Sequence, residues 1–160
     1  MRVLTIVLFV IYIAVLVKLV VLKGPLFYQV VSGTNEYKVQ AENAENYGVN
    51  LIPFRTIRSF MTFHPSTSTE TKVFNVLGNI ALFIPMGFFL PIIFKGAKNF
   101  LRVLFASFLV SLCFEIFQLV THTGHFDVDD LILNSIGGMI GYSCFIMGVK
   151  LWAGNNVTSQ

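Results

Sequence analysis

Polar side chains interrupt the apolar stretches of this chain at only a few places, and their spacing is regular. Glu115, Gln118 and His122 follow i, i+3, i+7, which sets them along one stripe of a helix. Asp127, Asp130 and Asn134 repeat that spacing if their helix starts ahead of the apolar run, and Asn75 and Asn79 lie four apart. Such stripes suit two kinds of chemistry. A desolvated Glu115 with Asp127 or Asp130 as partner is a candidate general base with its acid, the catalytic set of a membrane-embedded enzyme. The same acids and amides, with Lys18, also suit ligand recognition, and Arg55 and Arg58 are cations for phosphate. His122-x-x-His125-x-Asp127-x-Asp129-Asp130 contains zinc-type donors, but their spacing follows no metal template, and neither metal nor cofactor is expected. Nucleophile-elbow, phosphate-loop and zinc-protease motifs are absent.

Each of these residues has a structural reading too. Lys18 can snorkel to headgroups or form a tie to Glu115. Amides within spans commonly act as interhelical glue, worth about 0.6–2 kcal/mol each.

The elements that carry these residues are apolar stretches long enough to cross a bilayer, which takes about 20 residues of helix. They run over residues 3–22, 73–94, 101–120 and 131–149. Only 12% of the 160 residues are charged and 55% are hydrophobic, so lipid must cover much of the exterior. No basic run of the kind that tracks nucleic acid occurs, and no nucleic-acid partner is expected. The first stretch is longer than a signal-peptide core and leads into Lys23-Gly24-Pro25, so it reads as a retained anchor. The expected fold is therefore an all-α membrane protein of one domain, 1–160, with four transmembrane helices and a long extracytoplasmic loop at 24–72.

Direction follows from the short connections. Lys95, Lys98 and Arg102 lie between spans two and three, whereas Asp127, Asp129 and Asp130 lie between spans three and four. The basic connection belongs inside, which puts both termini in the cytoplasm and the acidic connection outside. Within the outer loop, Ser32 to Asn46 is polar. The stretch from Asn50 to Phe63 is amphipathic, with Phe54, Ile57 and Met61 on one face and Arg55 and Arg58 off it. Pro53 is suited to start its helix. That segment either lies flat at the headgroups or packs on the spans.

At about 1.5 Å of rise per residue, Lys18, Asn79, Glu115 and Asn134 all fall roughly 5–9 Å inside the outer end of their spans. Ionisable groups in spans face the bundle interior, so a polar cavity opening outward is expected. Gly137 and Gly141 form a small-xxx-small pair that packs within the bundle or in a homo-oligomer. Cys113 and Cys144 sit in apolar stretches and read as packing residues.

Four motifs occur in order: Asn50-Leu-Ile-Pro-Phe; Asn79-Ile-Ala-Leu-Phe-Ile-Pro-Met-Gly87; Phe114-Glu-Ile-Phe-Gln118; and Asp127-Val-Asp-Asp-Leu-Ile-Leu-Asn134 running on to Gly141. Together they resemble the VanZ-like family over roughly residues 3–148. The resemblance implies a bacterial cell-membrane protein that lowers susceptibility to teicoplanin-type lipoglycopeptide antibiotics, with no established reaction. Partners in keeping with it are membrane lipid, a lipid-linked wall precursor or the lipoglycopeptide itself. Many relatives carry Arg where this chain has His125, so a cation beside the acids depends here on protonation. A lipid-headgroup or surface-polymer enzyme remains the alternative. A channel ranks lowest, since the inner half of the spans offers no polar path.

Overall fold

The computed structural model describes residues 2–21, 49–61, 69–121 and 124–157. The polar 32–46 stretch, the Lys23-Gly24-Pro25 junction and His122 lie outside these. The elements run α1 (Arg2–Val21), β1 (Val49–Asn50), α2 (Arg55–Met61), α3 (Thr69–Ile93), a 3-10 turn (Lys95–Ala97), α4 (Phe100–Thr121), β2 (Phe126–Asp127) and α5 (Val128–Val157).

Four of the helices are long and apolar enough to span a membrane, over Val3–Val20, Asn75–Ile93, Phe100–Thr121 and Val128–Ala153. Their exposed faces are apolar: Val7, Val10, Leu101, Phe105, Leu109 and Ile116 all point outward. A water-soluble bundle would hide that stripe; here it faces lipid, and helix is the conformation that satisfies its own backbone there. α3 stays helical through Pro85 and Pro91.

Short connections make α3, α4 and α5 successively antiparallel. Between α3 and α4, Arg102 Nη1 donates to the Gly96 carbonyl at 2.6 Å. Asn99 caps α4, its side-chain oxygen accepting the Leu101 N–H at 2.9 Å. α5 starts at Val128, three residues ahead of its apolar run, so Asp129 and Asp130 belong to its first turn. Carboxylates there complement the positive end of the helix dipole.

α5 packs most extensively on α3 and next on α4, and α1 leans on the outside of α3. Small residues make the first contact possible. A Cβ at Gly137 would overlap the Ile80 carbonyl, one at Gly141 the Ile84 carbonyl, and one at Gly87 the backbone of Gly138. Gly138 in turn lies against the Ser107 side chain of α4. The Gly137/Gly141 face is thus occupied within the chain, by α3. Leu16 and Val20 of α1, Phe83, Met86 and Leu90 of α3 and Val103 of α4 form the apolar core. Tyr12 adds a polar link by donating to the Leu82 carbonyl at 2.7 Å.

Replacing Gly141 by Val forces the α3 and α5 backbones apart and should cost at least about 1–3 kcal/mol. Gly148→Ala, where a Cβ meets nothing, is the control and should be neutral. Thermal unfolding in one detergent measures both; an unshifted midpoint for Gly141→Val would remove α3–α5 contact as the bundle's main seam.

Candidate functional site

The polar residues gather at one end of the bundle, where α1 and α4 finish and α3 and α5 begin. Helix α2 lacks a capping side chain of its own, because Phe54 occupies the position just before it. The acceptor comes instead from the far end of the sequence. Asp129 has no exposed surface, and its Oδ1 accepts the Phe54 N–H at 2.5 Å. Its Oδ2 accepts the N–H groups of Thr56 and Ile57 at 2.7 and 3.1 Å. One carboxylate therefore satisfies three backbone donors that helix geometry leaves orphaned.

The turn it holds is unusual. Pro53 and Phe54 sit at the corner of an Ile52–Arg55 turn, and Phe54 has φ of 65°. A positive angle at the third position of a turn suits Gly or Asn; an aromatic residue there costs about 1–2 kcal/mol. Charge-assisted bonds to Asp129 outweigh that cost, at about 1.5–3 kcal/mol each. Pro53, expected at the helix start, stands instead in this preceding turn, because the corner must close before Arg55 can begin α2.

Asp127 performs a second fastening. It caps α5 by accepting the Asp129 N–H at 2.9 Å. It also accepts the Asn50 amide at 2.9 Å and the Thr56 hydroxyl at 2.5 Å. A two-residue parallel bridge sets Val49 opposite Phe126 and Asn50 opposite Asp127, which fixes that register. The Asp127 N–H donates to Glu115 Oε2 at 2.8 Å, so α4 is tied to the same point.

The remaining polar residues link helix to helix. Asn79 of α3 donates its side-chain amide to Asp130 of α5. The Asn134 amide of α5 donates to the Ser111 hydroxyl of α4 at 2.8 Å. Gln118 of α4 donates to the Val20 carbonyl at 3.0 Å, satisfying one of the last carbonyls of α1. Asn79 and Glu115 are each 3% exposed, and Gln118, Asp130 and Asn134 are buried as well. Asn79, Glu115, Gln118, Asp127, Asp130 and Asn134 thus lie together at this end, while His122 of the first stripe falls outside the described residues. Lys18 does not join them: it lies on the exposed side of α1, opposite the buried Leu16 and Val20. Its stem is long enough to carry the ammonium to the headgroups. Arg55 and Arg58 are exposed on α2. Among the described residues, no group of three His, Cys, Asp or Glu is arranged to hold a metal.

Asp129 is the residue that stripe spacing missed, since i, i+3, i+7 selects Asp127, Asp130 and Asn134 and passes over it. A signal was present: Pro53-Phe54 ahead of a short helix supplies no acceptor, so one had to arrive from elsewhere.

Four antiparallel membrane helices with a carboxylate-fastened segment folded over one end define a small polytopic membrane protein. Residues 9–151 match the VanZ/LLP1 family profile, and the chain belongs to that family. It is similar to Protein VanZ of Enterococcus faecium, 29% identical over 108 residues, which cover 68% of this chain. The match spans 58% of that relative's length. No solved structure is significantly similar.

Asp129→Asn keeps the shape but turns one acceptor into a donor facing backbone N–H groups. The expected local loss is about 3 kcal/mol, or roughly a hundredfold faster amide exchange at residues 54, 56 and 57. Hydrogen exchange in nanodiscs reads this directly, with Asn99→Ala at the other end as the control. Unchanged protection would show that Asp129 does not hold the turn.

Proposed function

We propose that this protein lowers susceptibility to teicoplanin-type lipoglycopeptides by engaging an amphiphile of the cell envelope at the acidic end of its bundle. Family membership supports the resistance role. The carrying observation is the fastened 50–58 segment: Asp127 of β2 and Asp129 of α5 hold it in a fixed conformation, with Arg55 and Arg58 exposed. That end faces the outside on this reading, because the turn at the opposite end carries Lys95, Lys98 and Arg102. A lipid-linked wall precursor has the matching chemistry, an apolar chain beside an anionic group, and the antibiotic's acyl tail matches the apolar part. The described bonds of Asp127 and Asp129 are acceptor roles toward backbone and side-chain donors, which favours binding over proton transfer. Glu115 likewise accepts the Asp127 N–H.

Topology is tested by single cysteines in a variant lacking Cys113 and Cys144. Thr123→Cys should react with an impermeant thiol reagent in intact cells and Gly96→Cys should not; the reverse result would invert the orientation.

For the phenotype, teicoplanin susceptibility is compared in cells holding equal membrane amounts of each variant. Asp129→Asn and the double change Arg55→Gln with Arg58→Gln should fall toward the vector-only level, while Ser32→Ala should protect fully. Full protection in every variant would mean that this end of the bundle has no part in resistance.

A further inference from the structure

Among the described residues, the exposed chemistry of the acidic end is opposite in sign to its sequence. Glu115, Asp129 and Asp130 are buried, and Asp127 is half-buried with its carboxylate occupied by Asn50, Thr56 and the backbone. What faces outward on the fastened segment is apolar and basic. Val49, Leu51, Ile52 and Phe54 are exposed, Leu51 by 67% and Phe54 by 58%, and Arg55 and Arg58 follow at once. The acids are fasteners, and the surface they hold out is a hydrophobic lip with a cationic edge.

The height of that lip decides what it meets. Asp129, which grips the Phe54 and Thr56 N–H groups, lies two residues before Leu131, where the apolar run of α5 begins. Two residues of helix are about 3 Å, so the segment sits at the boundary between hydrocarbon and headgroups. The lipid-facing surface of the spans reaches the same end through exposed Leu19, Leu77 and Val120. Single exposed apolar residues are ordinary, but four large ones within six positions form an apolar patch, at the end of the bundle that the lipid-facing surface also reaches. Guanidinium groups suit phosphate bidentately and carry long stems that cross the same boundary.

We propose that the 49–58 segment is a lipid-binding lip. Leu51, Ile52 and Phe54 enter the acyl-chain margin, and Arg55 and Arg58 take the phosphate of an anionic phospholipid. This deepens the proposed function, on which it rests for the identity of the leaflet, by naming the class of amphiphile. It also explains why the turn keeps Phe54 at a positive φ: the Asp129 bonds hold its backbone inward while the ring projects out.

The test uses the chain's single tryptophan as an advantage. Trp152 is changed to Phe, and Leu51→Trp is introduced on the full-length protein in vesicles; Phe54→Trp serves as a second reporter. The Leu51 side chain is exposed and apolar, so the substitution leaves the side-chain bonds of the clasp intact. Phosphatidylcholine brominated near the headgroup should quench the reporter about twofold more than lipid brominated deep in the chain, as expected of a group buried roughly 5–10 Å. Aqueous iodide should quench it weakly. At equal mole fraction, brominated phosphatidylglycerol should quench more strongly than brominated phosphatidylcholine. Each arginine should contribute about fivefold to the local enrichment of the anionic lipid, and Arg55→Gln with Arg58→Gln should abolish the difference. Strong iodide quenching would place the patch in water, and protection from both iodide and bromine would mean that another part of the chain covers it; either overturns the proposal. Equal quenching by both brominated headgroups would remove the phosphate contact. If the lip binds lipid as described while the arginine variant and Asp129→Asn both still protect cells from teicoplanin, the resistance reading fails and the lip stands.

Discussion

The carboxylate of Asp129 takes three backbone N–H donors from the 54–57 turn while having no exposed surface of its own. Near a bilayer this is a constraint before it is a stabilisation. Orphaned N–H groups at a helix start find less water there, and each left unpaired costs about 1–3 kcal/mol. A charge buried without donors costs more still. Each requirement answers the other, so the start of α2 and the start of α5 must lie together. Asp127 then falls opposite Asn50, its own N–H reaches Glu115, and α4 is drawn into the same junction.

A second constraint acts along the spans, where no hydrophobic force drives helix to helix. Close approach at Gly87, Gly137, Gly138 and Gly141 supplies packing between α3 and α5. The pairs Asn79–Asp130 and Asn134–Ser111 then set register at the polar end. The two seams differ in kind: the glycines allow any of several heights, and the hydrogen bonds select one. That division explains why polar groups cluster at a single depth.

Function and architecture meet in the inversion of charge. Acidic residues dominate the connection between α4 and α5, and sequence alone suggests an acidic surface. Folding turns those acids inward as acceptors and leaves arginines and large apolar side chains outside. The surface so formed is suited to an anionic amphiphile.

Much of this was legible in the residues themselves. Hydrocarbon thickness dictates spans of about 20 apolar residues, and the four helices fall where such runs occur. Rise per residue placed Asn79, Glu115 and Asn134 at one depth, and helical periodicity gave them inward faces; both are local properties. Other features depended on which elements touch. Lys18 shares the depth of the polar layer but points outward, because Leu16 and Val20 claim the packed side of α1. Gly137 and Gly141 suit any close neighbour, and only packing assigned them to α3. Asp129 belongs to no stripe with its neighbours, since its partners lie more than seventy residues away in the chain. Periodicity reports what a helix does to its own residues; a carboxylate that caps another helix is decided by the fold that brings the two together.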